Sequence, residues 1–291
     1  MNSMKTAFPI RTALIVAAAI FLHHNATATT PATVDLGSAS NFAILAGSQI
    51  TDAGGASTIV TGDVGLSPAS GSFIGLTASQ VPGGTIYAVD AAGPLGSVNN
   101  PGLLTTAKND LTNAYNDAFN RPFTIDFGVV DNQLGGQILF PGVYRFGGAA
   151  TANLIGTLTL DANGETNPVW IFQATSTLIT ASGSSVSLIG ASACDVFWQV
   201  GTSATLGTGT IFVGHIMADQ SIALNTGATL DGSAMAQSAL VSLDHNTITG
   251  EDCNAESVPD NGSTLLLLGS GLATVSAFRR WSLVTRRVAV S

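Results

Sequence analysis

The residues best equipped for chemistry are few and widely spaced. Of four histidines, His23 and His24 lie in an amino-terminal stretch that reads as a removable leader, which leaves His215 and His245 to the body. A histidine acts as a general base when a nucleophile and an orienting acid surround it. Neither His215 nor His245 sits in such a motif, so both are expected to be structural or solvent-facing. Two cysteines, Cys194 and Cys253, together with two separated histidines give no zinc spacing. In an exported chain the cysteines can close one disulfide that pins the final turn, or they can remain two buried thiols; spacing leaves both open. Asp161-Ala162-Asn163-Gly164-Glu165 has the outline of a calcium loop without its full ligand series and reads as a turn. The words T-G-D-V-G at 61–65 and G-T-G-T at 207–210 lack the lysine that a phosphate cradle needs. The expectation is a protein that is not an enzyme and that holds no metal or cofactor.

The pattern that fills the chain is of another kind. Between Trp170 and Thr249 a short unit recurs: an amide, alternating apolar residues, then Thr or Ser followed by Gly. The copies L-I-T-A-S-G, A-T-L-G-T-G, I-A-L-N-T-G and V-S-L-D-H-N end at Gly183, Gly209, Gly227 and Asn246. A unit this short cannot bury its own apolar side, whereas stacked coils can, which predicts a β-solenoid. Successive side chains of a strand point to opposite sides. The alternation therefore places Leu178, Leu206, Ile222, Leu224, Val241 and Leu243 inside, with Thr177, Ile179, Ser203, Thr205, Ser221, Ala223 and Ser242 outside. After the turn a second ladder puts Val186, Leu188, Ile211, Val213, Leu230 and Ile248 inside. Its outer set is Ser185, Ser187, Thr210, Phe212, Thr229, Asp231, Thr247 and Thr249. Both outer sets are short, rich in hydroxyls and almost uncharged, which is unusual for a solvated face.

Composition narrows the partners. Apolar residues make up 45% of the 291 and charged residues only 9%, which excludes a disordered, strongly charged chain. The body keeps three cations, Lys108, Arg121 and Arg145, against 17 carboxylates from Asp35 to Glu256, a charge near −14. Nucleic acid is excluded as a partner because phosphate backbones are bound through clustered basic side chains.

Three segments follow in chain order. Residues 1–28 carry Lys5, Arg11, an apolar run from Ala13 to Leu22 and the small-residue end Ala26-Thr27-Ala28, the anatomy of a secretory signal peptide cleaved after Ala28. Residues 29–257 form the solenoid domain. Within it, about 103–120 is the one convincing helix, with Leu104, Ala107, Leu111, Ala114, Tyr115, Ala118 and Phe119 on one stripe and Pro122 ending it. Tyr115 and Phe119 are expected as core contacts. Residues 258–291 begin at Val258-Pro259-Asp260, continue through an apolar run from Thr264 to Phe278 and reach Arg279-Arg280, which predicts a membrane-engaging or sorting segment.

Several words of the sequence resemble the ice-binding β-solenoid family. They are L-G-S-A-S-N-F-A-I-L-A-G-S at 36–48, T-G-D-V-G-L-S-P at 61–68, P-G-V-Y at 141–144, V-W-I-F-Q at 169–173, F-W-Q-V at 197–200 and A-Q-S-A-L-V-S-L-D-H-N-T-I-T at 236–249. The resemblance covers about residues 34–252. It implies a mostly β fold: a right-handed, discontinuous β-solenoid of triangular section in which amino- and carboxyl-terminal coils meet, with one long α-helix along one face. The partner it implies is an ice surface, and the family's pattern of Thr, Ala or Gly, any residue, then Thr or Asn is fully met at Thr226-Gly227-Ala228-Thr229. It is partly met around Thr208-Gly209-Thr210 and Ser182-Gly183-Ser184-Ser185, and His245-Asn246-Thr247 departs from it. On that pattern the ice-contact residues are Ser182, Ser185, Thr208, Thr210, Thr226, Thr229 and Thr247. Thr177, Ser203, Thr205 and Ser221 form the runner-up face. The tail resembles the PEP-CTERM sorting signal, which implies export by a Gram-negative bacterium and processing by an exosortase. The competing expectation is a non-catalytic surface or biofilm-matrix adhesin that binds exopolysaccharide or the cell envelope.

Overall fold

Apolar and short polar residues alternate between tight turns, and each stretch pairs in parallel with the stretch one coil away. The computed structural model describes residues 30–128, 132–148, 150–250 and 253. The leader expected over 1–28 and the tail expected over 258–291 lie outside the described residues. Among the described residues, twenty-one strands form a 15-stranded sheet that wraps two sides of the solenoid and a 6-stranded sheet that closes the third. Every pairing is parallel and most run in unbroken register; Ile211–Ala218 matches Thr229–Ala236 residue by residue.

The solenoid is discontinuous in sequence. Strand Gln49–Asp52 pairs with Leu240–Leu243, Ile59–Thr61 with Thr247–Thr249, and Phe42–Ala46 with the end of Thr229–Ala236. The amino-terminal coil therefore stacks on the last carboxyl-terminal coil, and an edge that would otherwise expose unpaired backbone groups is covered.

Two of the three sides are parts of the same strands. Ile211–Ala218 and Thr229–Ala236 each bend at a glycine, Gly214 and Gly232, with φ of +107° and +130°. A Cβ on Gly232 would lie 2.2 Å from the carbonyl oxygen of Gly214, so only glycine lets the two bends stack. Inside, rings pile along the axis: Phe172 on Trp198 at 4.0 Å between centroids and Trp198 on Phe212 at 4.8 Å. The buried indoles of Trp170 and Trp198 donate to the carbonyls of Leu139 and Val213 at 3.1 and 2.9 Å.

The helix, α1, spans Pro101–Asn120. Pro101 is preset for the first turn and the Asn100 side chain accepts from Leu103 N–H. Leu104, Ala107, Leu111, Ala114 and Ala118 are buried against Phe42, Leu45, Ile171, Phe197, Met217 and Met235. Lys108 Nζ donates to the carbonyls of Ala236 and Gln237 at 2.8 and 2.6 Å, and burial pushes its ammonium down to about 8. Gln173 Nε2 collects the carbonyls of Ala118, Phe119 and Arg121 at the helix end. Tyr115 packs on this cluster as expected, but the Phe119 ring is 49% exposed. At that last turn the strand offers the amide of Gln173 and no apolar surface, which corrects its assignment to the core.

Candidate functional site

Three kinds of surface surround the core, and α1 covers one of them. The other two differ in the phase of their strands. On the sheet formed by Ala152–Leu154, Leu178–Thr180, Ala204–Leu206, Ile222–Leu224, Leu240–Leu243 and Gln49–Asp52, the three-residue strands run inward, outward, inward. One ladder runs across this sheet at the surface: Asn153, Ile179, Thr205, Ala223, Ser242 and Thr51. On the opposite phase, Thr157–Asp161, Ser185–Ile189, Thr247–Thr249 and the first half of Thr229–Ala236 run outward, inward, outward, whereas Ile211–Ala218 shows only Ile211 to solvent. This two-row face holds Thr157, Ser185, Ile211, Thr229, Thr247 and Ile59 in one row. Thr159, Ser187, Asp231, Thr249 and Thr61 lie in the other, and Val213, at the register position beside Asp231, is buried in the core as expected.

The structure divides the seven residues taken from the family pattern. Ser185, Thr229 and Thr247 stand on the two-row face. Ser182, Thr208 and Thr226 are exposed, but on the ridge of turns where the one-row face meets it. Thr210 is fully buried, which removes it from any contact surface. Its Oγ1 pairs with Thr180 Oγ1 at 2.8 Å and donates to Ala181 O at 3.2 Å. The reason is the corner geometry. Gly183, Gly209, Gly227 and His245 occupy the left-handed turn position, with φ of +70°, +64°, +70° and +57°, and the residue after each turns inward. Ser184, Thr210, Ala228 and Asn246 are accordingly buried in series.

This frame also reverses two neighbours. Ile211, expected inside, is 58% exposed, and Phe212, expected outside, is fully buried. His245, not Asn246, is the counterpart of Gly227, so Thr247 lies 18 residues after Thr229, just as Thr229 lies 18 after Ile211. The buried Asn246 amide donates to the carbonyls of Asn225 and Ala228, both at 2.9 Å, and ties this corner to the coil before it.

Thr157, Thr159 and Thr61 are surface-row members that the repeat alignment missed. Their signal was present in T-L-T-L-D at 157–161 and I-V-T at 59–61, outside the aligned copies. The runner-up set behaves differently: Thr177 Oγ1 pairs with Thr151 Oγ1 at 2.7 Å, and Ser203 Oγ accepts from Ser221 N–H at 3.3 Å. Those hydroxyls, with Thr205, are half-buried along the one-row face.

The residues considered for catalysis lie elsewhere. His215 is buried beyond the Gly214 bend, with Nδ1 2.7 Å from Ser233 Oγ and Nε2 3.3 Å from Cys253 Sγ. Burial pushes its imidazole down to about 4. Cys194 and Cys253 form a disulfide, so the sulfurs that converge on His215 are already bonded to each other. His245 is exposed on the ridge beside Asp244, whose carboxylate is held below its ordinary range by the Thr226 hydroxyl and then by His245. Asp161-Ala162-Asn163-Gly164-Glu165 is a turn, with Asn163 N–H on Asp161 Oδ1 at 2.8 Å and Glu165 N–H on Ala162 O at 2.9 Å.

A parallel solenoid that presents its polar groups as an open lattice, with His215 and His245 outside that lattice, defines a protein that meets its target as a surface. The family model described as Ice-binding-like matches residues 44–249, and the chain belongs to that family. It is 38% identical over 275 residues to an ice-binding protein of Nostoc sp. (strain HG1), covering 92% of this chain and 95% of that one. An ice-binding protein of Flavobacterium frigoris (strain PS1) is 39% identical over 219 residues, covering 74% and 76%. Among solved structures, a glycosylated ice-binding protein from an Arctic yeast superposes with a TM-score of 0.68 at 30% identity, covering 79% of this chain and 98% of that one.

Proposed function

We propose that this protein adsorbs to ice through the two-row face. The observation that carries this reading is the pair of outward rows, built almost entirely of short hydroxyl and methyl side chains held in register across the coils. Coils repeat about every 4.8 Å, and outward residues along one strand are about 6.7 Å apart, spacings of the order found in the ice lattice. Thr and Ser lose little rotamer entropy when immobilised at a crystal surface, unlike Lys or Glu. The one-row face offers a single ladder position per strand and is the weaker candidate.

The test compares Thr229→Tyr with Thr205→Tyr. A ring at 229 stands above the rows and blocks close approach, so thermal hysteresis is expected to fall at least severalfold, while Thr205→Tyr retains most of it. Both positions are half-exposed, and both variants should keep the wild-type circular dichroism spectrum. Full hysteresis in Thr229→Tyr beside loss in Thr205→Tyr would move the contact to the other face.

The reading extends to location: the protein is exported by a Gram-negative bacterium, loses residues 1–28, and has its tail cut by an exosortase near Val258-Pro259. Mass spectrometry of the exported form that found residues 264–291 intact would leave a membrane anchor in place of a sorting signal. One observation favours polysaccharide as a second ligand. Arg145 lies 5.0 Å over the half-exposed Phe123 ring, in a cleft it shares with Phe119. A glycan-binding assay with Phe123→Ala addresses this independently of ice.

A further inference from the structure

Asp231 is out of place. It occupies an outward position of the two-row face, between a strand that exposes Ile211 and buries Val213 on one side and a strand that presents Thr247 and Thr249 on the other. Phe212 and Leu230 lie beneath it, and the residues around it line a shallow depression of about 380 Å³. None of these neighbours titrates. Other charged groups near this side are Asp161, at the far end of strand Thr157–Asp161, and the Asp244–His245 pair on the ridge. His215 is on the same strand as Ile211 but lies buried beyond the bend. Among the described residues no cation pairs with Asp231.

We propose that Asp231 sets how strongly this face adsorbs to ice, because the face makes close contact only when the Asp231 carboxyl is neutral. The inference rests on the two-row face being the contact surface. Ice is a neutral lattice of hydrogen-bonded water with no mobile counterion. Pressing a carboxylate against it strips the charge of its hydration shell and gives back no opposite charge. A neutral carboxyl carries one O–H and one carbonyl oxygen, and it joins a water lattice as a threonine hydroxyl does. Burial between the two flanking strands already raises this carboxyl above its ordinary range in solution. Contact with ice completes the desolvation, so adsorption takes up one proton from solvent. By linkage, the adsorption equilibrium then falls about tenfold for each pH unit above the pKa of the free protein.

The experiment measures thermal hysteresis of the full chain at equal concentration from pH 8 to pH 4, with circular dichroism at each pH to verify folding. The variants are Asp231→Asn, Asp231→Thr, Asp161→Asn and Thr229→Tyr. The expected result is a wild-type hysteresis that rises as pH falls, with Asp161→Asn following it. Asp231→Asn and Asp231→Thr should be flat with pH and at neutral pH should at least match the wild type at acid pH. A wild type that is active but flat with pH overturns the proposal, as does an Asp231→Asn protein that keeps the rise. Thr229→Tyr separates this failure from that of the surface assignment: if it retains full hysteresis at every pH, the face is wrong and the role of Asp231 falls with it.

Discussion

At the scale of single residues, the positions of several buried polar groups carry measurable consequences. His215 is the clearest case. Its folded pKa lies near 4 against an unfolded value near 6.5, so between those values the unfolded chain binds a proton that the folded protein refuses. The stability contributed by the neutral imidazole is complete above pH 6.5 and is lost as pH falls toward 4, by an amount on the order of 3 kcal/mol. Urea unfolding should show this decline in the wild type, and His215→Asn should flatten it although it also weakens packing on Phe197. An equal decline in the variant would assign the effect to another group. The neighbouring lesson is Thr210, whose hydroxyl serves the corner between coils and is lost to the surface for that reason.

At the scale of elements, α1 joins the two sequence halves of the solenoid. Its apolar stripe touches Phe42 and Leu45 from the amino-terminal coil and Ile171, Phe197, Met217 and Met235 from the others. Leu111 is fully buried in that contact. Leu111→Ala should therefore cost about 2 to 4 kcal/mol by lost burial and the cavity left behind. Hydrogen exchange would show whether the loss reaches Phe42–Ala46 as well as the helix. Protection lost only in the helix would mean that it rides on the solenoid without bracing it. The Gln173 amide explains why the helix stops where it does: it takes carbonyls that the last turn leaves unpaired, as Pro122 prevents continuation.

For the whole molecule, parallel stacking makes each coil the template of the next, and the last coils are pinned from both sides. The amino-terminal coil covers one side, and the Cys194–Cys253 disulfide closes a loop of 59 residues around the other. A closed loop of this length stabilises by about 2 to 4 kcal/mol, chiefly by restricting the unfolded chain. Replacing both cysteines with serine should lower the denaturation midpoint accordingly, while leaving hysteresis at low temperature intact because neither cysteine borders the two-row face. Loss of hysteresis in a folded double variant would show that the disulfide positions the ladder.

The sequence by itself determined the repeat, the inward and outward parity within most strands, the helix and the family, because a period of two residues and an amphipathic stripe are local properties of the chain. It also marked Thr229 and Thr247 as outward. What only the tertiary structure decided was absolute phase and neighbourhood. Alternation relates one residue to the next but leaves open where the count begins. That origin is the left-handed corner, and at one corner a histidine, His245, takes the place that glycine holds elsewhere. With the origin set, Ile211 moves out and Thr210 moves in. Neighbourhood likewise depends on stacking: Ile59 and Thr61 sit beside Thr247 and Thr249, nearly 190 residues later in the chain, because Ile59 N–H donates to Asn246 O and Thr61 O accepts from Gly250 N–H. The same stacking places the carboxyl of Asp231 among uncharged neighbours, a setting that no stretch of sequence displays.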